Sequence, residues 1–291
     1  MTRVLLAVSL GLVALTGCTT PTGPDAGETP TGSSELSVEE AYLAHVPSEG
    51  IPRMPYDATV EQGDDVILLL RDVGPFSQAP DKDRRGAALN LVVRDAEGEP
   101  VHRYSANVTL GEPEATGFQI PWKAVDAPTS EYTAEATVTD KVTGDEVSVE
   151  LDLAIVETVD RSRSSFGASG WTYLLDKGEG GPTFRPLATY PSGSEVQFGL
   201  VDVGPFAEGE DGNHHPAASL TVRDSDGNTI LSENTTYEPQ RAPDGVFPAL
   251  TMEIGLPASE TPGNFTLSMT VEDRIEGSTT EETREFEIFS R

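Results

Sequence analysis

The chain repeats itself, and this repeat limits its fold more than any other feature. Val66-Ile67-Leu68-Leu69-Leu70-Arg71 runs into Asp72-Val73-Gly74-Pro75-Phe76, and 130 residues later Val196-Gln197-Phe198-Gly199-Leu200-Val201 runs into Asp202-Val203-Gly204-Pro205-Phe206. Val93-Arg94-Asp95-Ala96-Glu97-Gly98 parallels Val222-Arg223-Asp224-Ser225-Asp226-Gly227 at an offset of 129. Tyr132-Thr133 with Thr137-Val138-Thr139-Asp140-Lys141 parallels Phe265-Thr266 with Thr270-Val271-Glu272-Asp273-Arg274 at an offset of 133, and Tyr42-Leu43 matches Tyr173-Leu174. A drifting offset places small insertions in loops, where duplicated units tolerate them. Two copies of one domain are therefore expected at 38–158 and 170–291, joined by a linker at 159–169 that contains Arg161-Ser162-Arg163-Ser164-Ser165.

Hydrophobicity inside each copy has a period of two. Val196, Phe198 and Leu200 alternate with other residues, as do Tyr132, Ala134, Ala136 and Val138, and Phe265, Leu267, Met269 and Val271. Val147, Val149, Leu151, Leu153 and Ile155 continue the pattern over nine residues, which predicts half-buried strands. Only the short window Val38 to His45 has spacing that a helix could use. Asp95-Ala96-Glu97-Gly98 and Asp224-Ser225-Asp226-Gly227 lie between strand runs and read as hairpin turns with Gly in the left-handed position. Six or seven short strands in roughly 115 residues predict an antiparallel β-sandwich. The closing pattern Tyr-Thr-x-x-x-Thr-Val-x-Asp, a turn at Gly144 and a further strand resemble the last two strands of many extracellular immunoglobulin-like and macroglobulin-like domains. That resemblance implies an all-β chain of two tandem antiparallel immunoglobulin-like β-sandwiches, and it implies no particular activity.

Ahead of the repeats, Arg3 precedes an apolar run from Val4 to Leu15. A run of about 12 residues is too short for a bilayer, which takes about 20, and it has the length of a signal-peptide core. Leu15-Thr16-Gly17-Cys18 follows, and it resembles the lipobox of prokaryotic lipoproteins. In that family the signal, here 1–17, is removed, and the thiol corresponding to Cys18 is lipidated and becomes the mature N-terminus. Cys18 is the sole cysteine, which rules out an intramolecular disulfide and a cysteine-rich zinc site. Residues 18–37, rich in Thr, Pro, Gly and Ser, are expected to form a flexible tether that holds the sandwiches off a membrane. The sequons at Asn107, Asn234 and Asn264 are compatible with surface N-glycosylation.

The 19 basic and 49 acidic side chains give a formal charge of −30, which repels a phosphate backbone and excludes a nucleic-acid partner. With 4 Lys against 15 Arg, the composition resembles that of proteins from extreme halophiles. Self-repulsion opposes compaction at about 0.15 M salt, where the Debye length is about 8 Å, and is largely screened at about 1 M, where it is about 3 Å.

Asp72, Gly74, Pro75 and Phe76, with their copies Asp202, Gly204, Pro205 and Phe206, could form a ligand loop at one end of each sandwich. The simpler expectation is a structural motif in which Asp caps the strand, Gly-Pro turns the chain and Phe fills the core. Glu208, Glu210, Asp211, His214 and His215 crowd one loop and could offer ligands to Ca²⁺ or another divalent cation. Against this, adjacent residues on an extended chain point apart. Asp224-Ser225-Asp226-Gly227-Asn228 looks like the start of a calcium loop, but Ser232 stands near the place of the distal Glu. Trp122, Trp171, Tyr173 and Tyr190 could stack on sugars if exposed. Trp122, with Leu256 as its approximate counterpart, is instead expected to pack internally. No Gly-x-Ser-x-Gly occurs, and His45 and His102 have no motif around them.

The expected protein is therefore a non-catalytic binding or structural module of a halophile envelope, extracytoplasmic and held to the membrane by the Cys18 lipid. It would engage an envelope protein or glycan through sandwich loops or edges. The alternatives are a lipoprotein binding a small ligand, a carbohydrate or a divalent cation and, after that, an extracytoplasmic enzyme.

Overall fold

The computed structural model describes residues 35–47, 50–78, 85–110, 116–124, 126–159, 164–175, 182–256 and 262–290. The segment expected to be an export signal, the Leu15 to Cys18 segment and all but the end of the expected tether lie outside them. Among the described residues, nine strands form the first repeat: β1 (Ser37–Val46), β2 (Met54–Pro55), β3 (Thr59–Glu61), β4 (Asp65–Gly74), β5 (Arg85–Asp95), β6 (Pro100–Leu110), β7 (Thr116–Lys123), β8 (Ser130–Asp140) and β9 (Glu146–Val156). Nine more form the second: β10 (Gly170–Leu175), β11 (Thr183–Phe184), β12 (Thr189–Pro191), β13 (Glu195–Val203), β14 (Pro216–Arg223), β15 (Thr229–Thr236), β16 (Phe247–Gly255), β17 (Gly263–Asp273) and β18 (Thr279–Phe289). The window from Val38 to His45 belongs to β1, because pairing along β4 satisfies its backbone and overrides its helix-like spacing.

In the first repeat a sheet ordered β1-β4-β7 faces one ordered β3-β9-β8-β5-β6. The second repeat copies this with β10-β13-β16 facing β12-β18-β17-β14-β15. The third strand of each copy runs parallel to the last, β3 on β9 and β12 on β18, and the remaining pairings are antiparallel. This strand order is that of an immunoglobulin-like sandwich. The first copy also has the corner typical of such folds: near the start of β8 the Tyr132 hydroxyl donates to the Pro128 carbonyl at 2.7 Å. The second copy has Phe265 at this place, stacked on Phe286, and so lacks the hydroxyl.

Alternation decides which face each strand buries. Tyr132, Ala134, Ala136 and Val138 enter the first core, and Phe265, Leu267, Met269 and Val271 enter the second. Each large apolar side chain that leaves water contributes about 1.5–3 kcal/mol. Facing outward, Thr137 and Ser148 bond to one another, and Thr133 donates to Asp152. The hairpin turns form as expected, with Gly98 and Gly227 both at φ 83 and the side chains of Asp95 and Asp224 accepting backbone N–H groups across the turn. Register corrects one detail. Val66 pairs with Trp122 and its twin Val196 pairs with Ile254, so Ile254, and not Leu256, is the counterpart of Trp122.

Strand β4 departs from alternation, since Val66, Leu68, Leu69 and Leu70 are all buried. Leu68 and Leu70 face their own sandwich, while Leu69, together with Ala44 on β1, belongs to the hydrophobic cluster of the second sandwich. The two repeats therefore share a core.

Candidate functional site

The junction of the two sandwiches gathers the densest chemistry among the described residues. After β1 the chain crosses to the second repeat, where β2 adds itself to β10 with Met54 opposite Trp171 and Pro55 opposite Gly170. Gly170 allows this approach, since a Cβ there would lie 2.3 Å from the Met54 carbonyl oxygen. Thr172 donates to the Pro52 carbonyl at 2.6 Å, and the Tyr56 N–H donates to the Ser169 carbonyl at 2.9 Å. Part of the segment expected as a linker is built into the second sandwich: Gly167 exchanges hydrogen bonds with Gly204, and Phe166 meets the Phe206 ring edge-on.

A chain of buried polar groups crosses this junction. Asp64 accepts from His45 Nδ1 at 3.1 Å, the Arg53 Nε–H donates to His45 Nε2 at 2.7 Å, and Arg53 also forms an ion pair with Asp202. Ser169 donates to the same Asp202 oxygen at 2.6 Å. His45 is fully buried, and Arg53, Asp64 and Asp202 are no more than 5% exposed. Such burial is tolerated only because the charges are paired and hydrogen-bonded.

Beside it lies an aromatic stack. The Arg284 guanidinium sits 3.6 Å from the ring centroid of Trp171, Tyr56 tilts over the same indole at 5.3 Å, and Tyr42 meets it edge-on at 6.1 Å. Glu282 pairs with Arg284 and accepts from the Tyr56 hydroxyl at 2.9 Å. With its side chain 27% exposed, Arg284 over the indole contributes about 1 kcal/mol. Burial, with the Glu40 carboxylate adding to it, pushes the Tyr42 phenol up to about 12, and burial raises Tyr173 further. Tyr42, Tyr56, Pro55, Asp152, Trp171 and Arg284 help line a crevice of about 240 Å³, and the buried Trp171 Nε1–H has no hydrogen-bond partner among the described residues. A wider concavity of about 650 Å³ lies on the first sandwich, lined by Asp57, Asp95, Glu131, Glu150 and Asp152 together with Arg94.

The repeated motif takes the same path in both copies. Phe76 and Phe206 are each 4% exposed and meet Phe118 and Phe247 edge-on. Gly74-Pro75 and Gly204-Pro205 turn the chain out of the sheet, and both bonds are cis. The backbone N–H that follows each Phe, of Ser77 or Ala207, donates to the Asp that closes the Thr-Val-x-Asp pattern, Asp140 at 2.6 Å or Asp273 at 2.7 Å. Asp72 and Asp202 both take left-handed backbone angles, at φ 51 and 47. Their surroundings differ, for Asp202 is held by Arg53 and Ser169 while Asp72 is half-buried.

In the 208–215 loop, His214 turns inward, with Nδ1 3.0 Å from the Ala207 carbonyl and its ring against Phe247. His215 turns outward to Asp211, with Nε2 3.1 Å from both carboxylate oxygens. Hydrogen bonds from His215 and Asn213 hold the Asp211 carboxyl down to about 2. Glu208 and Glu210 point to solvent. Among the described residues, no three His, Cys, Asp or Glu side chains come together as a metal-holding group. Trp122, Trp171, Tyr173 and Tyr190 are all at most 5% exposed, so none of them offers a face to a sugar. Asn107 on β6, Asn234 on β15 and Asn264 at the start of β17 are exposed, and the first two occupy equivalent edge strands. Leu15, Thr16, Gly17 and Cys18 lie outside the described residues.

The junction residues His45, Arg53, Asp64 and Ser169 were not among the sequence candidates. The signals that mark them are weak: one Arg between Pro52 and Met54, and an apolar run from Val66 to Leu70 that does not alternate. Compared with known proteins, the chain matches no protein family and no curated relative.

Proposed function

We propose that the chain is a lipid-anchored, non-catalytic module of a halophilic cell surface, which holds two sandwiches as one body and engages an envelope protein or glycan through their free loops and edges. The observation that carries this is the shared core. Ala44, Met54 and Leu69 of the first repeat are buried in the hydrophobic cluster of the second, so neither sandwich is a bead on a flexible string. A rigid two-domain body on a lipidated tether suits a spacer or an adaptor. It displays the edge strands β6 and β15, the sites of the Asn107 and Asn234 sequons, to solvent. Edge strands and loops are where such sandwiches recognise partners.

Two measurements on cells test the proposal. In washed membranes grown at high salt, the native chain is retained and Cys18→Ser is released to the medium; retention of the variant contradicts the anchor. Crosslinking of the tagged chain at growth salt captures one or two stoichiometric envelope partners, and capture of none contradicts the adaptor role.

The alternative is a small-ligand lipoprotein, favoured by one observation. Trp171, whose buried Nε1–H has no hydrogen-bond partner among the described residues, helps line a crevice bordered by the exposed ring of Tyr56. That donor suits a neutral ligand with a hydrogen-bond acceptor and a flat apolar face, and loss of its binding in Tyr56→Ala would identify the crevice as the site.

A further inference from the structure

We propose that His45 is a proton-operated latch between the two sandwiches, closed when its imidazole is neutral and opened when it is protonated. The chemistry follows from which groups can donate. A guanidinium Nε always bears a hydrogen, so Arg53, 2.7 Å from His45 Nε2, must be the donor and Nε2 must be the bare nitrogen. The imidazole proton therefore lies on Nδ1, where it is donated to Asp64. One neutral tautomer satisfies both neighbours. A second proton on Nε2 would set N–H against N–H and place an imidazolium beside the guanidinium with no water to screen them, since His45 is fully buried. Arg53 must then leave.

The consequence extends beyond one side chain, because Arg53 is the link to the second repeat. The same guanidinium is paired with Asp202, and Asp202 also receives the Ser169 hydroxyl at the start of β10. Backbone bonds tie both strands of the latch to the junction: His45 and Arg53 exchange N–H···O bonds at 2.9 and 3.1 Å, and Met54 and Pro55 pair with β10. Among the described residues, Asp64 at the foot of β4 and Arg53, with Asp202 beyond it, are the charged groups bonded to His45 or through it, and strand register brings Asp65, opposite Val46, and Lys123 on β7, opposite Asp65, to the neighbouring positions. Asp64 favours the imidazolium and Arg53 opposes it. Acidification thus breaks the Arg53–His45 bond and tightens the His45–Asp64 pair, so that the Arg53 segment, held by Asp202 and β10, comes away from β1 and the sandwiches gain freedom to reorient.

The test is hydrogen–deuterium exchange of the full chain at growth salt, compared at about pH 7.5 and about pH 5, a range that spans ordinary histidine titration, with rates corrected for intrinsic pH dependence. The expected result is a loss of protection of about tenfold in the peptides covering 51–56 and 167–172 at the lower pH, with β8 and β17 unchanged. His45→Gln keeps a neutral acceptor for Arg53 and cannot titrate, so its peptides stay protected at both values; His102, His214 and His215 remain in this variant and serve as internal controls. Asp64→Asn removes the carboxylate that favours the imidazolium and moves the wild-type transition to lower pH. An unchanged junction in the native chain at about pH 5, or the same loss of protection in His45→Gln, overturns the proposal.

Discussion

Arg53 donates to the carboxylate of Asp202 across 149 positions of sequence, joining the first repeat to the second through the one copy of the duplicated Asp-Val-Gly-Pro-Phe motif that faces the junction. The twin residue, Asp72, adopts the same left-handed backbone without that role. Duplication supplied two identical carboxylates, and packing has made one of them part of an interface.

This asymmetry is measurable. Asn tolerates the left-handed region as Asp does, so Asp202→Asn removes the charge while keeping the turn. The substitution leaves Arg53 buried without its counterion and should cost about 3–5 kcal/mol. Asp72→Asn should stay within about 0.5 kcal/mol. Denaturant unfolding of both variants at one fixed high salt concentration decides the matter, and equal losses would contradict the assignment.

Gly170 is the closest approach in the junction. A Cβ there meets the Met54 carbonyl oxygen at 2.3 Å, well inside contact, so Gly170→Ala must push β2 off β10. Overpacking of this kind costs about 1–3 kcal/mol, and the loss of the β2–β10 pairing adds to it. Gly98→Ala, at an exposed turn, serves as the comparison: it strains only the local backbone and leaves the protection of residues 51–56 unchanged. If Gly170→Ala also leaves that protection unchanged, the docking of β2 on β10 is wrong.

The Tyr132 corner should be worth about 1 kcal/mol, the ordinary net value of one hydrogen bond. Tyr132→Phe keeps the ring and removes the bond to the Pro128 carbonyl. Since Phe265 already fills the same place in the second sandwich, Tyr132→Phe makes the two corners alike. A variant as stable as the native chain would show that the bond is only a bystander.

Alkaline behaviour follows from the buried phenols. Burial raises Tyr42 and Tyr237 to about 12, whereas an unfolded tyrosine ionises near 10. Below about pH 10 both states hold the proton and the stabilising contribution is complete. Between about 10 and about 12 only the unfolded state releases it, so stability falls as pH rises. Tyr237→Phe, which cannot ionise, should move the alkaline unfolding midpoint upward when followed by circular dichroism. An unmoved midpoint would contradict the burial of that hydroxyl.

The strands, the duplication and the hairpins were legible in the sequence because each rests on local rules: a period of two, a matched motif, and Gly where φ is positive. The burial of Phe76 and Phe206 was legible for the same reason. The junction was not, because it depends on residues that are ordinary locally, His45, Arg53 and Asp64, and become a network only when the second repeat closes over β1 and β4. The unbroken apolar run Val66 to Leu70 was the visible trace of that closure, since a strand covered on both faces has no reason to alternate. In the 208–215 loop the pattern of residue types proved a poor guide, because adjacent side chains on an extended backbone diverge, sending His214 inward and His215 out to Asp211.

Acidity sets the conditions for every experiment above. With a formal charge of −30, the chain should lose stability on dialysis from about 2 M to about 0.15 M salt as screening weakens. The buried Arg53–Asp202 pair, shielded from solvent ions, should contribute nearly the same at both. A melting temperature independent of salt would contradict the role given to surface repulsion.

The shared core is tested most directly by scanning calorimetry of residues 35–291 at about 2 M salt, where charge repulsion is screened. If Ala44, Met54 and Leu69 tie the first repeat into the second as described, the two sandwiches unfold in one transition whose calorimetric and van't Hoff enthalpies agree. Two separated transitions, each with the enthalpy of a single sandwich, would show that the repeats are independent domains and would contradict the account.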